Sequence, residues 1–383
     1  MSTKSIAVLD DAELQDGQMK EVTFEEGKVL LSRLGDKIYA TSAFCTHYGA
    51  PLAKGVFTSD ARVVCPWHGE DAPAPSALHS FQTHVLNGKI YVTANPAHTL
   101  NNNKARPSKL LSSGMDSVGK GLIIVGGGAA AFHTVESLRE HGYSSSITIL
   151  SKETYTPIDR TKLSKALITD ATKVEWKTAG ELKIKYGTTI RLGVEVTSLD
   201  LKKKEVALDG GKETLAYDKL VLATGGTPRR LPVEGAQLEN VYTFRGIADA
   251  QKVEAGESLF QNAVYAHPFE GVLGKEVGAG LQKYHESQGV KFHMESRVEK
   301  IVSQEGSPHL AGGVVVNGIT LPADFVIMGV GVLPATEYVK GSGIALEKDG
   351  GIKVDKFLRV QSGPDQENVY AVGQSPRLLS AIQ

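Results

Sequence analysis

The stretch Gly121–Lys165, GLIIVGGGAAAFHTVESLREHGYSSSITILSKETYTPIDRTKLSK, decides the fold of most of the chain. The apolar run Leu122–Val125, bounded by glycines, predicts a buried parallel strand. Gly126, Gly128 and Ala131 follow as G-x-G-x-x-A. A helix is expected from there to about His141, with Gly142 as its cap. Ile147–Leu150 then predicts a second strand, and Glu153 lies just past it. This order suits a dinucleotide site. Gly126 makes the tight turn, Gly128 lets backbone approach a pyrophosphate, and Ala131 lets the helix pack on the strand. The helix N-terminus offers N–H donors and the positive end of a dipole.

Upstream, residues 1–96 read as a small all-β domain. Alternating runs at Lys28–Arg33, Lys37–Thr41, Ala61–Val64, Ser80–Val85 and Lys89–Thr93 are separated by turns, and Asn87-Gly88 is a strong hairpin signal. Both cysteines of the chain lie here, each beside a histidine: Cys45-Thr-His47 and Cys65-Pro-Trp-His68, with 17 residues between His47 and Cys65. Two thiolates and two imidazoles on two loops can bind zinc or a [2Fe–2S] centre. One Cys and one His per loop suits an asymmetric dinuclear cluster, because each loop must reach both irons. Zinc sites more often pair like ligands as C-x-x-C and H-x-x-x-H, and zinc stays open as the alternative. The pattern C-x-H-x17-C-x-x-H, with Gly49 and Pro51 after the first loop and Gly69 after the second, resembles the Rieske ferredoxin family. The second loop departs from that pattern. Gly69 runs straight into Glu70-Asp71-Ala-Pro-Ala-Pro, where the family carries an aromatic and a Gly-Asp turn, so part of the wall shielding a cluster is expected to be missing.

Residues 97–119, polar and rich in Asn and Ser, read as a linker. Past the dinucleotide unit come P-I-D-R-T-K-L-S-K (157–165) and L-V-L-A-T-G-G (220–226). Together with the glycine motif these resemble the FAD-dependent pyridine nucleotide reductases, in the apoptosis-inducing-factor-like branch that carries an N-terminal Rieske domain. The resemblance implies FAD held by Gly126, Gly128, Ala131, Glu153 (at the ribose), Arg160, Lys165, Thr224 and Gly225. Lys165 would lie near the isoalloxazine as the catalytic residue that tunes it. It implies NAD(P)H as the electron source, and the cluster on Cys45, His47, Cys65 and His68 as the next carrier. No cysteine follows Cys65, so the flavin-to-dithiol route of the disulfide reductases has no residues here.

The expected architecture is multi-domain. An all-β Rieske domain precedes α/β, Rossmann-like FAD- and NAD(P)-binding domains, divided as FAD part 120–250, NAD(P) part 251–345 and FAD return segment 346–383. The second nucleotide domain is expected to be incomplete. Residues 251–271, QKVEAGESLFQNAVYAHPFEG, hold no glycine triplet. The resemblance resumes at Val272 with a helix, at Gly289–His293 with a strand, and at Leu321–Pro334 with a buried strand and turn. Asn368–Gly373 resembles an N-V-Y-A-x-G-D motif whose Asp contacts FAD, but Gln374 stands in the Asp position. The family's last domain is expected to be absent. These abrupt joins suggest a spliced or misassembled gene product, with weak or absent NAD(P)H turnover. The alternative function is a redox carrier or interaction protein that keeps the cluster alone.

Composition narrows the partners. Glycine is 41 of 383 residues, above the ordinary ~7%, as several nucleotide loops require. The net charge of −1 gives no electrostatic case for nucleic acid. No apolar run reaches the ~20 residues of a membrane helix. The first residues resemble neither a secretory signal nor an Arg-rich transit peptide. A cytoplasmic location is therefore expected, with the mitochondrion as alternative. The partners expected are a nicotinamide dinucleotide and an unidentified electron acceptor.

Overall fold

The computed structural model describes residues 3–46, 49–66, 78–101, 119–163, 167–254, 262–265, 275–374 and 376–378. The chain folds as two compact units, Met1–Lys109 and Leu110–Gln383. Among the described residues no helix is long and apolar enough to cross a membrane.

Among its described residues the first unit is made of strands and short 3-10 turns. Its strands are β1 (Lys4–Asp10), β2 (Met19–Phe24), β3 (Gly27–Leu34), β4 (Lys37–Ser42), β5 (Val56–Phe57), β6 (Val63–Val64), β7 (Ser80–Leu86) and β8 (Lys89–Ala94). Six form an antiparallel sheet in the order β1-β8-β7-β4-β3-β2, and β5 and β6 make a separate hairpin. The alternation predicts β3, β4, β7 and β8 well, and Asn87-Gly88 turns the last hairpin with positive φ at both residues. The expected strand at Ala61–Val64 is only Val63–Val64. Strands β1 and β2 escape the pattern because β1 buries little of itself. β3 is covered on both faces. Val29 and Leu31 enter a core with Phe24, Ile90 and Val92, while Leu30 enters a second cluster with Ala43 and Leu52. The packing continues past residue 96. Thr99 is buried, and a methyl group on Gly27 would meet its Oγ1 at 2.0 Å. The all-β unit thus runs beyond the boundary read from composition.

The second unit is built on a parallel sheet. Its first elements are β9 (Leu122–Val125), α1 (Ala129–Glu140), β10 (Ile147–Leu150), α2 (Ala179–Tyr186), β11 (Thr188–Arg191), the meander β12 (Val196–Asp200), β13 (Glu205–Leu208) and β14 (Glu213–Ala216), and β15 (Lys219–Leu222). The strand order is β11-β10-β9-β15-β26, where β26 is Val369–Ala371. All four residues of β9 are buried. Leu122 and Ile124 face Phe132 and Val135 of α1, while Ile123 and Val125 face a larger cluster with Leu199, Val206 and Leu208 of the meander. This double cover is why the strand reads as an unbroken apolar run. Gly142, at φ 84°, follows the end of α1 as the sequence predicts. Helix α2 carries a Thr178–Glu181 capping box and ends on Gly187 in the left-handed region. Arg139 ties these elements together. It is buried, and its guanidinium donates to the carbonyls of Tyr186 (2.7 Å), Ser145 (2.9 Å) and Tyr143.

The remainder adds β16 (Gly226–Pro228), β17 (Val241–Tyr242), α3 (Ile247–Glu254), β18 (Asn262–Tyr265), α4 (Lys275–Ser287), β19 (Lys291–Met294), β20 (Val298–Gln304), β21 (Ser307–Val316), β22 (Ile319–Pro322), β23 (Val326–Ile327), β24 (Val332–Pro334), β25 (Ile352–Val354) and β27 (Pro376–Leu378). Among the described residues of the expected nucleotide domain, strands β18 and β19 pair with each other alone in a parallel sheet, and α4 lies between them in the chain. The helix and strand expected after Val272 and at Gly289–His293 are thus found as α4 and β19. Leu321–Pro334 differs from expectation. It is broken into β22, β23 and β24, and Val330, Val332 and Leu333 are 36%, 40% and 48% exposed. Gly331 takes φ 92°, which ends an extended run, and β24 pairs only with β16. Asn240, almost fully buried, locks this region. Its amide donates to the carbonyls of Ala311 (2.9 Å) and Asp324 (2.6 Å) and accepts from the Ala311 N–H (2.6 Å).

Candidate functional site

In the parallel sheet, chain order runs outward from β9 in both directions: β10 and β11 on one side, β15 and β26 on the other. The crevice at the carboxyl ends of β9 and β15 is therefore a topological switch point, where open α/β sheets bind ligands. Four strand ends deliver residues to this edge: Gly126–Gly128 after β9, Ser151–Glu153 after β10, Ala223–Gly225 after β15, and Gly373-Gln374 after β26.

The glycines there have distinct reasons. Gly126 has φ 113°, and a Cβ on it would lie 2.3 Å from the Ala223 carbonyl oxygen and 2.9 Å from the Thr224 Cα. Only a residue without a side chain lets β9 turn this close to β15. Gly127 is pressed against Ser151, whose Oγ would be 2.2 Å from an added Cβ. Gly128 faces open space, with nothing within 4 Å of such a Cβ. It is the N-cap of α1 and offers no side-chain acceptor, so no side chain caps the first-turn amides and they can serve an anion. Ala131 is fully buried and lets α1 seat on the sheet.

Charged groups gather beside this opening. The Arg160 Nη2 donates to both carboxylate oxygens of Glu153 at 2.7 and 2.6 Å, and the Tyr155 hydroxyl donates to Glu153 Oε1 at 2.9 Å. Arg160 Nη1 donates to the Arg245 carbonyl at 3.0 Å. Arg160 is placed by a short helical turn whose N-cap, Asp159, accepts from the Thr161 amide. Burial alone would lower the Arg160 guanidinium, but the hydrogen bond to Glu153 and its charge carry it above the ordinary value. Burial first, then the Glu153 charge, raises the Tyr155 phenol, which stays a neutral donor.

Glu153, read as a ribose acceptor, is thus already engaged by Arg160 and Tyr155. A ribose would have to share or displace those donors. Thr224 also differs from a simple ligand contact. Its hydroxyl donates to the Ala335 carbonyl at 2.8 Å and lies 3.4 Å from the buried Tyr338 hydroxyl, so its side chain braces the strand end. Gly225, at φ 66°, presents backbone to the crevice.

One basic residue is absent from the motif reading. Arg245, between β17 and α3, reaches back to the same place. Its Nη2 donates to Gln374 Oε1 at 2.7 Å and would lie 3.3 Å from a Cβ on Gly225. Burial and the neighbouring Arg160 charge lower its guanidinium, and Glu153 opposes that only in part. No local motif marks Arg245. Its single signal is an arginine just before a helix whose Asp249 caps its own amide, at 2.8 Å. The set of amides, glycines and two guanidiniums fits the diphosphate of a dinucleotide such as FAD. Lys165 lies outside the described residues.

In the first unit, Cys45 and Cys65 pack against one small apolar cluster of Leu30, Ala43 and Leu52. The Cys45 loop is tight: Cys45 N–H donates to the Ala50 carbonyl at 2.9 Å, and Gly49 N–H to the Cys45 carbonyl at 2.8 Å. Cys65 directly follows β6. Gly55 packs there, since a Cβ on it would meet the Val64 carbonyl oxygen at 2.0 Å. Neither cysteine is in a disulfide, and both are partly exposed. Two thiols on neighbouring loops around one apolar wall fit a bound cluster. His47 and His68 lie outside the described residues.

The comparisons with known proteins agree with this division. The Rieske [2Fe-2S] domain model matches residues 4–71. The pyridine nucleotide-disulphide oxidoreductase model matches 120–265 and 263–379, in two pieces that meet at β18. Over 407 aligned residues the chain is 34% identical to apoptosis-inducing factor 3 of Homo sapiens, covering 96% of this chain and 66% of that one. It is 30% identical to rubredoxin-NAD(+) reductase of Pseudomonas putida, covering 66% of this chain and 71% of that one. Among solved structures, the covalent putidaredoxin reductase–putidaredoxin complex is similar at TM-score 0.60 and 25% identity, covering 70% of each chain. The chain spans about two thirds of the length of the apoptosis-inducing factor 3 relatives, 66% of the human and 65% of the mouse protein. These families imply a [2Fe–2S] cluster, FAD and NAD(P)H. The chain belongs to the pyridine nucleotide-disulphide oxidoreductase family and carries a Rieske [2Fe–2S] domain on its N-terminal side.

Proposed function

We propose that the chain is an NAD(P)H-dependent flavoprotein oxidoreductase that passes electrons from NAD(P)H, by way of FAD, to a Rieske cluster or an outside acceptor. The observation that carries this reading is the convergence of Gly126, Gly128, Arg160, Arg245 and Gly225 at one switch-point crevice. Bound FAD supplies the conversion of a two-electron hydride donor into single electrons. The chain's own residues hold and orient it. The amides at the start of α1 and the Arg245 guanidinium would hold the diphosphate, and Glu153, shared with a ribose, would keep Arg160 oriented. Lys165 is assigned to the flavin side. Cys45, His47, Cys65 and His68 are assigned as cluster ligands, with zinc as the competing occupant. Neither Cys45 nor Cys65 is in a disulfide, which suits a reducing compartment such as the cytoplasm, or alternatively the mitochondrion.

A second reading is favoured by one observation. In the described part of the nicotinamide half, β18 and β19 form a two-stranded parallel sheet joined by one helix, and the two pieces of the family match meet there. In this reading the chain is a catalytically impaired form that acts as a redox carrier or interaction protein. One experiment separates the two. Purified protein is analysed for FAD, iron, sulfide and zinc, then titrated anaerobically with NADH and NADPH while its visible spectrum is recorded. The first reading expects FAD with iron and sulfide, and bleaching by a reduced nicotinamide. Iron and sulfide without a nicotinamide response leave only the carrier. Protein with neither flavin nor iron removes both.

A further inference from the structure

The middle residue of the glycine turn has no conformational reason to be glycine. Gly127 lies between Gly126 and Gly128, and its φ is outside the left-handed region that favours glycine. What forbids a side chain there is Ser151, at the end of β10. A Cβ on Gly127 would stand 2.2 Å from the Ser151 Oγ and 2.6 Å from the Ser151 Cβ. Turning the hydroxyl away would clear only the first of these contacts. The bare backbone of Gly127 and the side chain of Ser151 are therefore complementary, although 24 positions separate them.

Ser151 is fully buried. Its N–H donates to the Arg191 carbonyl at 2.9 Å, and its carbonyl accepts from the Val194 N–H at 2.9 Å. Its Oγ accepts from the Glu153 N–H at 3.2 Å, a serine turn that bends the chain two residues on. The Glu153 carbonyl accepts from the Gly193 N–H at 2.9 Å and closes the turn from the other side. Between them the exposed Lys152 pairs with Glu195 at 2.7 Å. Glu153 is left facing Arg160 and Tyr155 beside the crevice. One small side chain thus touches both parts of the proposed site. It presses on the loop whose amides would serve a diphosphate, and it holds the backbone of the acid that would serve a ribose.

We infer that Ser151 is a positioning residue, acting through Glu153, that holds the acid in register with the glycine loop so that a ribose joined to a diphosphate meets both. The inference rests on the reading of the crevice as a dinucleotide site and adds the residue that spaces its two parts. Because the turn is already formed, a ribose contact at Glu153 spends no binding energy on ordering it.

The test uses the full chain, freed of bound nucleotide, and its S151A, S151G, G127A and G127A/S151G variants. ADP, ADP lacking both ribose hydroxyls, inorganic pyrophosphate and FAD are titrated separately by calorimetry, and thermal unfolding is followed by circular dichroism. The native chain is expected to prefer ADP to its dideoxy form. S151A keeps the Cβ and loses the bond to the Glu153 amide. It is expected to bind ADP about threefold more weakly, and to bind dideoxy-ADP and pyrophosphate like the native chain. G127A is expected to lower the melting temperature of the native chain by about 4 °C and that of S151G by clearly less. S151A weakening ADP and dideoxy-ADP alike, or weakening neither, overturns the inference, as does an equal loss from G127A in both backgrounds. A native chain indifferent to the ribose hydroxyls overturns it too, and keeps the flavin reading where FAD binds. A native chain that prefers ADP but does not bind FAD, with S151A behaving as expected, removes the flavin reading and keeps this one. Binding of none of the four ligands overturns both.

Discussion

Alanine at Gly126 and alanine at Gly128 are expected to fail in different ways, although both glycines belong to one motif. At Gly126 the backbone has φ 113°, which L side chains rarely adopt. Holding a non-glycine residue there costs about 1–3 kcal/mol. The new Cβ would also stand 2.3 Å from the Ala223 carbonyl oxygen, backbone that can move only if β9 and β15 separate. Overpacking of this kind adds about 1–3 kcal/mol. A total near 4 kcal/mol lowers the melting temperature of a unit this size by about 8–16 °C. At Gly128, φ −97° and ψ −166° are open to any residue, and nothing lies within 4 Å of a Cβ. The stability of G128A should therefore stay within about 0.5 kcal/mol of the native chain. Its methyl group stands in the space before the first turn of α1, so FAD affinity should drop by about tenfold or more. Thermal unfolding of the nucleotide-free chains by circular dichroism, with FAD titration followed by fluorescence, measures both quantities. The nucleotide must be removed first, because a bound ligand raises the midpoint by itself. G128A melting as low as G126A, or G128A binding FAD like the native chain, would refute the division of roles.

Two further outcomes concern stability. Asn240→Leu leaves the Ala311 and Asp324 carbonyls and the Ala311 amide without their partner in a buried setting, at a cost of about 3 kcal/mol; a urea midpoint that hardly moves would show that water takes over these bonds. His98 stacks on His79 with ring centroids 4.0 Å apart, and burial, then the His79 charge, lowers it below 6.5. The folded chain therefore binds this proton less readily than the unfolded chain. The resulting stabilisation is present above about pH 6.5 and is lost as the pH falls below that value. H98F should flatten this part of the pH dependence of the urea midpoint; an unchanged slope would assign it to other groups.

Local chemistry wrote much of this molecule legibly. Gly126, Gly128 and the apolar β9 announce themselves because a strand buried on both faces must be apolar throughout, and a turn at φ 113° accepts only glycine. Asn87-Gly88 marks its hairpin for the same conformational reason. The two Cys–His loops are readable because few side chains combine soft sulfur with imidazole at such spacing. Other features depend on residues far apart in sequence. β1 is a strand because β8 pairs with it across the sheet, from Lys4 with Ala94 to Asp10 with Lys89. Leu321–Pro334 looks like one buried strand, yet Gly331 and the small β16–β24 pairing divide it and leave Val332 and Leu333 exposed. Glu153 reads as a free acceptor, but folding brings Arg160 and Tyr155 onto it. Arg245, between β17 and α3, and Gln374, after β26, lie 129 positions apart and meet only through the tertiary fold. Sequence by itself determined the glycine turn and the kinds of ligand atom available, since both depend on single residues and near neighbours. The charge balance of the crevice was decided by tertiary structure alone, because it depends on which distant side chains the sheet brings within hydrogen-bonding distance.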